Sequence, residues 1–338
     1  MAAVLCDLGA WITYASRAPL QRIPKEEADR ALRGATRTAA QVSAVRELSW
    51  FGEQDAFGRR LGGVPEGEPL PIALLCREHA GHRAPAGSRI RTLPKNLEDA
   101  PLLRVADTDC LYVVAPELYL LLRAKDLPAP LLAAVACELC GTYEVHPELD
   151  PHTRLGVPSK LDPALLKDYA QGLAPNVTGA AKLRGAAAIV GASRSPIETA
   201  IAVLAASPPA DGGMGLPAPK LNCRVDLGAE GRRILGGQRS LFVDVFWPEA
   251  AFGIEYDSTA FHGEHDRQLR DKRRQEACDL LGIDIVPWTW QLVSDEVASE
   301  LAWRRVAERL GVAPRWDERT APQRRMLRGA MLGPHLFW

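Results

Sequence analysis

The chain has 338 residues, 47% of them hydrophobic and 25% charged, with a formal net charge of −1. That length corresponds to about two or more domains, each with enough apolar chain for its own core. The balanced charge excludes a protein coated all over in cations, but it leaves room for a local basic face, which is what a nucleic-acid site needs.

Residues 1 to about 60 are rich in Ala and Arg, with helical spacing and few strand signals. PLPIALLC (69–76) reads as a buried strand, and SRIRTL (88–93) and DCLYVVA (109–115) as short extended pieces. YVVAPELYLLLRAKDL (112–127) turns helical after Pro116, and LPAPLLAAVACELCGTY (127–143) reads as a second apolar helix stopped near Gly141. About 60 to 150 form one α/β unit, and 1–150 together make the N-terminal region. Residues 151–192 read as a helical connector with two starts. Asp162–Pro163 is a cap followed by proline at the first helical position, and Thr178 precedes the run AAKLRGAAAIV.

The third unit, 193–311, opens on SRSPIETAIAVLAASPP, where Ser195, Pro196 and Glu198 spell a capping box. RSLFVDVFWP (239–248) alternates as a strand, with Phe242, Asp244 and Phe246 on one side. Pro248 turns the chain into a second strand, AFGIEYD. HDRQLRDKRRQEACDLLG (265–282) is a helix, Ile283 to Pro287 a third strand and 295–311 a closing helix, with 312–338 as a tail. The expected fold is α/β, with a mixed sheet flanked by helices in the C-terminal part, preceded by a smaller α/β unit and a helical connector.

Seven scattered cysteines make no dense disulfide framework, which suits a reducing cytosol. The opening MAAVLCDLGAWITYASR has no basic stretch leading into a long apolar core, so no signal peptide is read. No stretch approaches the roughly 18 apolar residues of a membrane span. A soluble, cytoplasmic protein with no membrane partner is expected.

The chemistry concentrates in 252–274. Side chains alternate along a strand, so Glu255 and Asp257 share one face and Phe252, Ile254 and Tyr256 the other. The preceding strand returns alongside and brings Asp244 close if it shares that face. Three carboxylates at one end of a sheet repel, so either one keeps its proton or a cation gathers them. Oxygen ligands suit Mg²⁺ or Mn²⁺ rather than zinc, and such an ion acidifies a water that attacks phosphorus. Arg267, Arg270 and Arg274 recur at three- and four-residue spacing on one helix face, with Lys272 and Arg273 beside them. Phosphate neutralisation needs such an array. No GxxxxGK[ST] or GxGxxG motif occurs, so a nuclease fits better than an ATPase.

SPIET, VDVFWP, GIEYDSTAFH, the Arg-rich helix and LGIDIVPWTW follow one another over about 193–295. Together they resemble the very-short-patch-repair-like (Vsr-like) branch of the PD-(D/E)XK nuclease superfamily. The resemblance implies a restriction-endonuclease-like fold and a Mg²⁺-dependent DNA endonuclease acting in DNA repair or phage defence. By it, Asp244 matches the metal-binding aspartate and Glu255 the acid of the (D/E)xK signature. Glu198 matches the acid of the first helix, the Tyr256 backbone carbonyl completes the metal shell, and His262 is the general acid or base. Asp257 stands where the signature lysine would be, and Ser258 replaces a glycine of the branch's E-x-D-G-x-x-H pattern, with one extra residue before His262. The lysine's task then falls to His262 or to a basic residue such as Lys272. More weakly, YVVAPELYLLLRAKDL and ACELCGTY are similar to the antitoxin of type IV abortive-infection toxin–antitoxin systems. That similarity implies a DNA-binding or regulatory accessory part and a protein partner for the N-terminal region.

Each signal also has a structural explanation. The cap accounts for Glu198, and Asp266, Asp271 and Glu276 would balance the arginines on a solvated face. Cys137 and Cys140 lie inside an apolar helix and read as core, and Trp288 and Trp290 at a strand end read as core or edge aromatics, with base stacking or a wedge into DNA as the functional alternative. The alternative function is a catalytically degenerate nuclease fold serving as a DNA-bound regulator. A second is a metal- or redox-linked interaction protein using Cys137 and Cys140.

Overall fold

The computed structural model describes residues 2–16, 18–36, 38–77, 84–108, 110–257 and 265–333, and over 265–271 the backbone alone. The N-terminal sheet has six strands: β1 (Ala3–Cys6), β2 (Leu20–Arg22), β3 (Ile72–Cys76), β4 (Ser88–Thr92), β5 (Leu102–Val105) and β6 (Leu111–Val114). Their order is β2-β5-β6-β1-β3-β4. β1 lies inside the sheet, parallel to β6 and antiparallel to β3. The first 60 residues therefore supply an inner strand, against the helical expectation. All four residues of AVLC are buried, so the strand shows no alternation to read. The rest of that stretch is helical as expected, in α1 (Asp7–Ala15), α2 (Lys25–Arg33), α3 (Ala39–Arg46), α4 (Ser49–Glu53) and α5 (Asp55–Gly62).

α6 (Pro116–Arg123) and α7 (Ala129–Cys140) follow the sheet, each with proline in its first turn. Leu132, Val135 and Leu139 of α7 are fully buried, and each contributes about 2 kcal/mol of apolar burial. Gly141 ends this helix where a Cβ would fall 2.7 Å from the Ser193 carbonyl oxygen, so a side chain has no room there. A hairpin of β7 (Tyr143–Val145) and β8 (Thr153–Leu155) precedes α8 (Pro163–Gly172) and α9 (Ala180–Ile189). The Asp162 carboxylate caps α8 by accepting the Ala164 N–H. Thr178 does not cap α9. Gly179, at φ 91°, occupies the N-cap, with no side chain bonded to the first turn.

α10 (Pro196–Ala206) carries the chain into the second sheet. This comprises β9 (Lys220–Asp226), β10 (Ser240–Trp247), β11 (Phe252–Asp257) and β12 (Asp284–Thr289), with α11 (Ala229–Ile234) between the first two and α12 (His265–Leu280) between the last two. The order is β12-β11-β10-β9: an antiparallel meander, then β12 parallel to β11 across the α12 crossover. α13 (Trp290–Ser294), α14 (Glu296–Arg309) and α15 (Ala321–Leu332) complete the chain, so the expected tail holds a helix packed on α10. One continuous core runs from β1 through α7, α9 and α10 to α15, and a smaller one lies between the second sheet and α12. Among the described residues no helix is long and apolar enough to cross a membrane.

Candidate functional site

The second sheet breaks its pleat in one row. Along β9 and β10 the register runs Cys223↔Val243 and then Leu221↔Val245, with Asn222 and Asp244 between. Asn222 has φ 46°, in the left-handed region that short polar side chains tolerate. The break resets the alternation. Leu241, Val243 and Phe246 pack toward α12, whereas Val245 and Trp247 join the main core on the α10 side. Phe242, Asp244 and Phe246 therefore do not share one side. Phe242 is 38% exposed, and the Arg194 guanidinium lies 4.7 Å from its ring centroid.

The paired residues of β10 and β11 end at Val245↔Ile254, so the next positions along the two strands are Asp244 and Glu255. Asp244 Oδ2 accepts the Tyr256 N–H at 3.0 Å. Arg274 of α12 reaches in from the other side. Its Nε donates to both Glu255 oxygens at 3.1 and 3.2 Å, and its Nη2 donates to Glu255 and to the Phe242 carbonyl. One half-buried guanidinium thus ties β11 to β10 and lies near enough to Asp244 to lower its carboxyl.

Glu198 closes the site from α10. It is 6% exposed, and its carboxylate accepts the Arg194 N–H at 2.8 Å, the Asn222 amide at 2.7 Å and the Ser195 hydroxyl at 3.0 Å. Ser195 caps α10 through the Glu198 N–H, as the sequence predicts, but the reciprocal bond goes to the Arg194 N–H instead of Ser195's own. Burial, followed by the neighbouring Glu198 charge, pushes the Asp244 carboxyl up to about 6, against the pull of the Tyr256 N–H, Arg274 and Arg194. Asp244 therefore feels an acid and two arginines at the broken row. The neighbouring acid that raises Asp244 is Glu198, while Glu255 is paired with an internal cation, Arg274.

Asp257, at the exposed end of β11, helps raise the Tyr256 hydroxyl, with burial as the larger cause. Lys272 and Arg273 are exposed on α12. Arg274, expected on a phosphate-gripping face, is turned into the acid pair instead. His262 and the side chains of Arg267 and Arg270 lie outside the described residues. Trp288 packs edge-on against Trp303 at 4.6 Å, while Trp290 is 44% exposed. Cys137 and Cys140 are buried free thiols whose ionisation burial pushes up, Cys137 to about 12, as core residues should be. Among the described residues no group of three or more His, Cys, Asp or Glu side chains stands in a metal-holding arrangement.

Asn222 and Arg194 were missed by sequence reasoning. KLNCRVD carries a strand signal, Leu221, Cys223 and Val225 alternating with Asn222, Arg224 and Asp226, and Arg194 directly precedes the cap. Compared with protein-family models, curated proteins and solved structures, the chain gives no match.

Proposed function

We propose that the C-terminal unit is a restriction-endonuclease-like DNA nuclease that uses Mg²⁺ or Mn²⁺. The observation that carries this reading is that Asp244 and Glu255 take neighbouring positions on β10 and β11, with Glu198 of α10 near enough to Asp244 to raise its carboxyl. The order α10-β9-α11-β10-β11-α12-β12 supports the resemblance noted in the sequence, apart from the short helix α11 between the first two strands. The donors are oxygens, which suit a hard divalent cation, and Asn222 Oδ1 is a further buried oxygen there with no hydrogen bond among the described residues. Among the described residues no three of these side chains stand ready to hold an ion, so Asp244, Glu255 and Glu198 would have to shift together to hold it, and when bound it would supply charge neutralisation at phosphorus and an acidified water. Asp244, with its carboxyl at about 6, is mostly ionised at pH 7 and above, so ion binding strengthens as pH rises through 6. For Glu255 to act as a ligand, Arg274 would have to give up its pairing with that carboxylate, and its guanidinium would then be free for the phosphate backbone. Lys272 and Arg273, on the exposed part of the same helix, add sequence-independent phosphate contacts.

The test is nicking of supercoiled plasmid by purified chain. Mg²⁺ or Mn²⁺ should be required, and Asp244→Asn should abolish cleavage while leaving the far-ultraviolet dichroism unchanged. Absence of nicking at every salt and metal concentration tried would refute the hydrolytic reading. One observation favours the regulator as a second reading. Arg274 already neutralises Glu255, and Asp257 stands where a catalytic lysine is expected, as in a fold that binds DNA without cutting it. DNA affinity that is the same with Mg²⁺ and with EDTA, together with no cleavage, would select that reading.

A further inference from the structure

The N-terminal sheet carries a second candidate site, independent of the carboxylate row. β1 has β6 on one side and β3 on the other, and the chain leaves its carboxyl end straight into α1. A cavity of about 1120 Å³ opens there, at the upper end of the size of small-molecule sites.

Its lining is polar in a specific way. Asp7, the first residue after β1, has φ 47°, in the left-handed region that residues with a Cβ rarely adopt. Its Oδ2 accepts Arg91 Nε at 2.7 Å, and Arg91 also pairs with Asp126. The other oxygen, Asp7 Oδ1, is buried and has no hydrogen-bond partner among the described residues. A buried acceptor left in that state destabilises the fold, and a donor on a bound molecule would relieve it. Arg60 and Arg89 line the same cavity and are exposed, and among the described residues neither side chain carries an ion pair or hydrogen bond. Trp11 contributes an apolar wall. The cavity therefore offers two guanidinium forks that lack an acceptor and one carboxylate oxygen that lacks a donor. The complementary ligand has anionic oxygens at one end and hydroxyl or amino donors at the other.

We propose that this cavity binds a nucleoside phosphate. The phosphate lies between Arg60 and Arg89, where the planar forks match its oxygens, and a sugar hydroxyl or base amino group donates to Asp7 Oδ1. The experiment is calorimetric titration of the full chain, in EDTA, with nucleoside mono-, di- and triphosphates, with inorganic phosphate and with a 5′-phosphorylated oligonucleotide. At least one nucleoside phosphate should saturate the protein and bind more tightly than inorganic phosphate. Arg60→Ala and Arg89→Ala, both at exposed positions, should each weaken it by about tenfold or more with an unchanged thermal midpoint. Asp244→Asn should bind it as the native chain does, which separates this site from the proposed nuclease site. Three results would each overturn the assignment: no saturation by any nucleotide up to about 5 mM, equal binding by inorganic phosphate, or native affinity in both arginine variants. Tighter binding by the oligonucleotide than by every mononucleotide would overturn it in favour of nucleic-acid ends.

Discussion

Asp244→Asn tests the electrostatics of the broken row apart from any catalysis. In the folded chain the Asp244 carboxyl is pushed from an ordinary 3.8 up to about 6, by burial first and by Glu198 second. A group that holds its proton more tightly when folded favours the native state at low pH, and that benefit is lost as pH rises from about 4 through 6. Above 6 the ionised carboxylate is carried at full cost. A rise of about two pH units is worth about 3 kcal/mol, at about 1.4 kcal/mol per unit. Asparagine keeps an oxygen to accept the Tyr256 N–H and can donate to Glu198, so little is lost in exchange. The variant should be more stable than the native chain by about 2–3 kcal/mol at pH 8 and equal to it near pH 4. Urea midpoints at pH 4, 5, 6 and 8 would measure this. A variant that is destabilised at pH 8, or whose difference from native does not change with pH, would refute the account of this carboxylate.

Arg274→Ala should destabilise the metal-free chain by about 1–2 kcal/mol, because Glu255 loses a two-pronged cation and β10 its tie to β11. Millimolar Mn²⁺ should shrink that deficit, as thermal midpoints with and without the metal would show. Glu138 is 2% exposed, and burial pushes its carboxyl up to about 7, so it too favours folding at low pH and loses that contribution as pH rises through 7. Glu138→Gln keeps an acceptor for the Val145 N–H, and it should flatten the fall in urea midpoint between pH 5 and 8. Asp162→Ala removes the α8 cap and should cost about 1 kcal/mol in chemical unfolding, with no change in nucleic-acid binding.

Where a local physical signal was strong, the sequence was readable. Ser195 with Pro196 and Asp162 with Pro163 placed two helix starts, and Pro116 placed a third. GIEYD and VDVFW were legible as strands because aromatic and β-branched residues run between turn residues. β1 was not, since a strand buried on both faces has no alternation and AVLC among helical neighbours resembles them. The site was half legible. Residue type pointed to Asp244, Glu255 and Glu198, but simple alternation misplaced Phe246 relative to Phe242. The reason is the reset at Asn222 and Asp244, a property of two paired strands that neither segment displays alone. Spacing on α12 likewise put Arg274 with the other arginines, whereas the opening between β10 and β11 draws it to Glu255.

The central claim is that the acids of this row gather a divalent cation. Calorimetric titration of the metal-free chain with Mn²⁺ tests it most directly. The account predicts one ion per chain, bound more tightly at pH 7.5 than at pH 5.5 and no longer bound in Asp244→Asn. Absence of binding at millimolar Mn²⁺, or binding that survives that substitution unchanged, would contradict it.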